Sequence, residues 1–167
     1  MSTKIQHSTI TTILTVSDAK AAADFYERAF GFVNAYVPGG GNWPSMCPPP
    51  LQLNESTILL VQAKFATGPN LAAGMLPVPA NNAKALGILP ISLYIRVPDV
   101  DKCVAEAVKL GATSTGPIKE MLWGARCGTV IDPDGYTWMV ATQVREPTKA
   151  EMTQKFQELL DAERKRS

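Results

Sequence analysis

Tyr94 and Arg96 stand two residues apart in the run ISLYIRV at 91–97, a spacing that puts both side chains on one face of a β-strand. A phenol beside a guanidinium suits recognition of a planar anion. The ring offers a stacking face, and the fork pairs with a carboxylate or phosphate. On a bound substrate the same groups have catalytic uses, Tyr94 as an acid or hydrogen-bond donor and Arg96 as a stabiliser of negative charge. Arg126, in the segment WGAR, is a second candidate for that electrostatic role. Trp43, in the loop-like PGGGNWPSMCPPP, and Trp123, beside Gly124, offer further flat faces.

Groups for other chemistries are scarce. The single histidine, His7, lies in a polar N-terminal segment and reads as solvated. The three cysteines, Cys47, Cys103 and Cys127, lack metal-type spacing and read as reduced thiols of a cytoplasmic protein. Cys47 and Cys127 flank the candidate binding segments, yet a nucleophilic thiol needs a lowered pKa, and neither shows a basic partner. General acid–base chemistry therefore ranks below binding.

The chain that positions these groups reads as two copies of one unit. The run at 10–16 is rich in Ile, Thr, Leu and Val and predicts a strand. Ser17 and Asp18 are N-cap residues. Ala22, Phe25, Tyr26 and Ala29 then recur at helical spacing, and Gly31 closes the helix. The order repeats with a strand at 91–97, a cap at Asp99, an apolar stripe of Val100, Cys103, Val104, Ala107 and Val108, and a closing Gly111. Further strands are predicted at 51–53 and 57–62 in the first copy, and at 128–131 and 136–141 in the second. The second strand of each copy is weakly marked. The expected fold is α+β, with two tandem βαβββ modules forming a curved mixed-sheet cleft, followed by a C-terminal helix. The modules span 8–64 and 91–145, a linker or lid loop spans 65–90, and the last helix spans 148–166. Thr148 and Glu151 form its capping box, and Met152, Phe156, Leu159 and Leu160 its apolar stripe.

Strand parity then selects the cleft wall. Ile91, Leu93, Ile95 and Val97 should pack under the helix, leaving Ser92, Tyr94 and Arg96 on the other face. By the same parity Thr11, Ile13 and Thr15 face the cleft from the first copy. Leu59 and Met139 join from the closing strands, and Trp43, Trp123 and Arg126 from loops. Such a wall of apolar and aromatic groups with a few polar ones describes a small-molecule pocket.

Composition narrows the partners. The 167 residues are 46% apolar and carry a net charge of +1, enough for a core and without the basic stripe of a nucleic-acid binder. No window has the run of about 18 apolar residues that a membrane span needs, and the N-terminus lacks a signal-peptide pattern.

One string carries a resemblance. Trp123, Gly124, Arg126, Gly128, Asp132, Pro133, Gly135, Trp138, Ala141 and Thr142 resemble the closing hairpin of the vicinal oxygen chelate superfamily of glyoxalases, bleomycin-resistance proteins and ring-cleaving dioxygenases. The PhnB-like, glyoxalase-like branch is the nearer match. The resemblance implies paired modules, often a homodimer, and in metal-using members one His or Glu ligand on each of four strands. Those four positions fall here on Thr11, Ser92 and Met139, with the fourth near Leu59. None is a metal-binding residue type, so no metal and no cofactor is expected. The resulting expectation is a metal-independent protein that captures an aromatic or heterocyclic metabolite or drug in the cleft. A metal-free isomerase, cyclase or lyase acting through Tyr94, Arg96 or Arg126 is the alternative. A metal-dependent glyoxalase or dioxygenase ranks last.

Overall fold

The computed structural model describes residues 11–34, 50–63, 82–87 and 91–164. The first copy runs β1 (Thr11–Val16), α1 (Ala19–Phe30), β2 (Val33–Asn34), β3 (Leu51–Leu53) and β4 (Ser56–Gln62). A short helix, α2 (Ala83–Leu86), precedes the second copy. That copy runs β5 (Ser92–Arg96), α3 (Val100–Lys109), β6 (Thr113–Ser114), β7 (Lys119–Glu120), β8 (Ala125–Ile131) and β9 (Thr137–Gln143), and α4 (Lys149–Arg164) follows. The strands form two mixed sheets, ordered β1-β4-β3-β2 and β5-β9-β8-β6, with β7 also paired to β8. In each sheet the opening strand runs parallel to the closing one, so Ile13 sits opposite Leu59 and Tyr94 opposite Met139. The fold is α+β with a C-terminal helix, as the periodicity predicts. No helix among the described residues is long and apolar enough to cross a membrane.

The caps explain where the helices begin and end. The Asp18 carboxylate accepts the N–H groups of Lys20 and Ala21, and Asp99 accepts that of Lys102. Gly31 takes φ 77° and its N–H reaches Glu27, while Phe32 N–H reaches back to Tyr26, a left-handed closure that glycine tolerates. Ala22, Phe25, Tyr26 and Ala29 are all buried. In α3 the stripe is narrower than its pattern: Val100, Cys103, Val104 and Ala107 are buried, but Val108 is exposed near the helix end.

One hydrophobic core spans both copies. Trp138 is buried against Tyr26 and Phe30, with ring centroids 5.4 and 4.8 Å away. Cys103 of α3 donates to the Ala29 carbonyl of α1 at 3.0 Å, so the two helices pack together. The helix-facing sides of the two sheets are therefore joined through one interior.

Residues 132–135 do more than turn the chain. Asp132 is buried, and its Oδ2 accepts the Tyr26 hydroxyl at 2.7 Å and the Trp138 indole N–H at 2.8 Å. Its Oδ1 accepts the backbone N–H groups of Asp134 and Tyr136. Asp134 Oδ1 accepts Ser17 N–H and the Asn82 amide, and its carbonyl accepts Lys84 N–H. The Tyr136 hydroxyl accepts from Thr15 N–H at 3.0 Å and donates to Thr15 C=O at 2.9 Å. An edge strand leaves alternate backbone groups unpaired, and Tyr136 satisfies both at this position of β1. The turn thus bolts the second copy to β1, α1 and α2.

Gly135 has φ 92°, and a Cβ there would overlap the Lys84 backbone at the start of α2. Gly135→Ala is expected to cost about 2 kcal/mol, from left-handed strain and the displaced contact. A urea unfolding curve with an unchanged midpoint would show that α2 yields freely.

Several boundaries differ from the sequence expectations. Ile91 precedes β5 and is 54% exposed rather than packed under a helix. The WGAR segment is part turn and part strand: Gly124 takes φ 77° beside the Arg145 backbone, and β8 starts at Ala125. The expected linker 65–90 contains α2, whose cap Asn82 is buried by its bonds to Ser17 and Asp134. The capping box of α4 forms, with Thr148 N–H on Glu151 and Glu151 N–H on Thr148. Met152 is half-buried, whereas Phe156 is 55% exposed. Trp43, Cys47 and His7 lie outside the described residues.

Candidate functional site

Arg96 ends β5, the edge strand of the second sheet, and its side chain is exposed. Its guanidinium carbon lies 5.9 Å from the centroid of the Tyr94 ring. The two-residue spacing on a strand produces this pairing directly. Arg28, Arg126, Arg145 and Arg164 each pair with a carboxylate, respectively Glu106, Asp101, Glu120 and Asp161. Arg96 is the one arginine among the described residues that has no such partner.

A cavity of about 610 Å³ opens beside Tyr94 and Arg96. Its far side is the tight β3–β4 turn, with Asn54 at φ 52° and Glu55 at the tip, followed by Ser56 and Thr57. Thr12, Ile58 and Trp138 close the interior end. An aromatic face, a guanidinium and hydroxyl or amide groups around a partly apolar floor suit a small planar ligand with an acidic group. A second cavity, of about 460 Å³, is lined by Arg96 together with Trp123, Gln143, Glu146, Pro147 and Met152.

The residues selected by parity divide between these cavities and other surfaces. Tyr94 and Arg96 line the first cavity, and Arg96 and Trp123 the second. Thr11, Ile13 and Leu59 alternate with the buried Leu14 and Leu60, so they occupy the side of their sheet away from α1, and they line neither cavity. Ser92 and Met139 hold the equivalent side of the second sheet and also line neither. Arg126 sits opposite Thr142 and holds Asp101 of α3 through two hydrogen bonds of 2.9 and 2.8 Å. That bond holds the Asp101 carboxyl below its usual pKa and ties β8 to α3, so Arg126 is committed to the fold on the helix side. Thr12, Asn54, Glu146 and Met152 line cavities without having been selected. Parity places Thr12 on the helix side, and no local pattern marks the tip of a two-residue turn as a wall.

The four positions that the family resemblance points to as ligand positions hold two hydroxyls, Thr11 and Ser92, one thioether, Met139, and, near the fourth, the alkyl chain of Leu59. These groups do not suit a divalent ion. Among the described residues no group of three His, Cys, Asp or Glu is placed to hold one.

The thiols are also poorly placed for catalysis. Burial, with Asp99 adding to it, pushes the Cys103 thiol up to about 11 from 9.0. Burial likewise raises Cys127, against the opposing hydrogen bond from Tyr94. Between about pH 9 and 11 an unfolded chain releases the Cys103 proton while the folded one keeps it, so folding stability falls as pH rises through that window. Urea midpoints measured from pH 8 to 11 should fall more steeply for the wild type than for Cys103→Ala. Parallel curves would contradict this assignment.

Comparison with known proteins agrees with this architecture. The sequence profile of the glyoxalase/bleomycin resistance protein/dioxygenase superfamily matches residues 4–140. An uncharacterized protein of Mycobacterium bovis is 34% identical over 134 residues, covering 80% of this chain and 82% of that protein. An uncharacterized protein of Mycobacterium tuberculosis H37Rv is also 34% identical, with 73% of its length covered. The structure of a glyoxalase/bleomycin resistance protein/dioxygenase family enzyme from Burkholderia phytofirmans PsJN is similar, with TM-score 0.57 and 18% identity over 80% of this chain and 97% of that one. A glyoxalase-related enzyme from Fulvimarina pelagi gives TM-score 0.58 and 16% identity over 84% of this chain and 97% of its own. With the profile spanning most of the chain and both sheets in the expected order, this protein belongs to the glyoxalase/bleomycin resistance protein/dioxygenase superfamily.

Proposed function

We propose that this chain is a metal-independent binding protein for a small aromatic or heterocyclic anion, held against Tyr94 and Arg96 in the larger cavity. The observation that carries this reading is Arg96. It lines that cavity over an aromatic face, and it alone among the described arginines has no carboxylate partner. An exposed guanidinium with its donors free is suited to a ligand carboxylate, phosphate or sulfonate. The string from Trp123 to Thr142 supports the PhnB-like branch as the nearer kin.

Titration of the protein with 1-naphthoate in the presence of a chelator, followed by tryptophan fluorescence, tests the proposal. Saturable quenching with the ligand recovered unchanged supports it. Conversion of the ligand would instead favour the metal-free enzyme, for which Glu55 is the one carboxylate in that cavity's lining among the described residues. No saturation with any aromatic carboxylate, phosphate or sulfonate would remove the binding reading.

A further inference from the structure

Arg96 is the one residue that lines both cavities among the described residues. Tyr94 shares with it the lining of the cavity of about 610 Å³, and Trp123 shares with it the lining of the cavity of about 460 Å³. Each volume lies in the range that accommodates a ring system. The second cavity has its own flat face, the indole of Trp123, which is 42% exposed, and a polarisable wall in Met152.

The loop that presents Trp123 is held in place before any ligand arrives. The Gln143 amide donates to the Trp123 carbonyl at 2.9 Å and to the Arg145 carbonyl at 2.7 Å. The N–H groups of Val144 and Arg145 converge on the Gly124 carbonyl, and Arg145 pairs with Glu120 at 2.7 Å. A half-exposed indole on a loop fixed in this way costs little further ordering on binding. Gln143, Glu146, Pro147 and Met152 lie beyond the 4–140 segment that the superfamily profile covers. The second cavity is thus built by the end of β9 and the segment running into α4, together with Arg96 and Trp123.

We infer that the two cavities are lobes of one site, and that its ligand is a two-part aromatic anion. The acidic group sits centrally on Arg96, one flat part lies against Tyr94, and the other lies against Trp123 and Met152. Among the described residues each lobe also carries one exposed carboxylate, Glu55 in the first and Glu146 in the second, which suits N–H or O–H donors on the ends of the ligand. This inference rests on the binding function proposed above and specifies its ligand class.

The test uses two probes. 1-Anilinonaphthalene-8-sulfonate carries two aromatic parts around one sulfonate, and naphthalene-1-sulfonate carries one part. Both are titrated against the wild type, Trp123→Ala and Arg96→Gln, each checked for folding by circular dichroism. The two-part probe should bind the wild type about tenfold more tightly, a factor appropriate to one added aromatic contact. Trp123→Ala should remove that advantage and leave the one-part probe within about twofold, while Arg96→Gln weakens both by about tenfold or more. Equal affinity of the two probes with no effect of Trp123→Ala overturns the two-lobe site and leaves the binding function standing. Equal weakening of both probes by Trp123→Ala also overturns it, because a single lobe at Trp123 would then hold both. Indifference of both probes to Arg96→Gln overturns the inference and the proposed function together.

Discussion

Asp132→Ala should lower folding stability by about 3–5 kcal/mol, the range for stripping a buried, multiply bonded carboxylate from its donors. Four groups lose their acceptor: the Tyr26 hydroxyl, the Trp138 indole, and the N–H groups of Asp134 and Tyr136. They belong to α1, β9 and the turn itself, so the loss falls on the joint between the copies. Burial raises the Asp132 pKa despite the Tyr26 and Trp138 hydrogen bonds, so the cost of burying its charge offsets part of what those bonds contribute. Asp132→Asn should therefore cost less, about 1–2 kcal/mol. Its carbonyl can keep the two backbone donors, while its amide nitrogen faces the Trp138 N–H. Urea unfolding of the three proteins checks the order. Equal losses for Ala and Asn would mean that the negative charge, rather than the acceptor geometry, holds the joint.

Arg96→Gln should weaken binding of an aromatic carboxylate by about 10- to 100-fold, corresponding to one charge-assisted hydrogen-bonded pair. Stability should hardly change, because the side chain is exposed and forms no ion pair among the described residues. Arg126→Gln provides the contrast: it breaks the Asp101 pair and should leave ligand affinity within about twofold. Fluorescence titration and unfolding curves on the same samples separate the two outcomes. A larger affinity loss at Arg126 than at Arg96 would move the site to the other face of β8.

Much of the scaffold is legible in the sequence because it rests on short-range signals. The Asp18 and Asp99 caps, the Gly31 closure, the helical stripe of α1 and the Thr148–Glu151 box are all set within a few residues, and each is found where its pattern places it. The repeat gives the order of the elements in each copy, whereas the parallel pairing of opening and closing strands is visible only in the structure. The site is less legible. Strand parity correctly associates Tyr94 with Arg96, but it treats each sheet as two uniform faces. At an edge strand such as β5 the cavity wraps round, and Leu93, Tyr94, Ile95 and Arg96 all contribute to it. The 132–135 turn shows the same limit. Its hairpin geometry is local, yet its partners Tyr26, Ser17, Asn82 and Thr15 lie more than 50 residues away in sequence, and no periodicity announces them.

The central claim is that Arg96 and Tyr94 hold an aromatic anion without a metal. Calorimetric titration of 1-naphthoate into chelator-stripped protein, repeated after addition of zinc, nickel, manganese or iron(II), tests it most directly. One saturable site with the same affinity in every sample is expected, with affinity about 10- to 100-fold weaker in Arg96→Gln. Binding that appears only after a stoichiometric ion is taken up, and that survives Arg96→Gln, would contradict it.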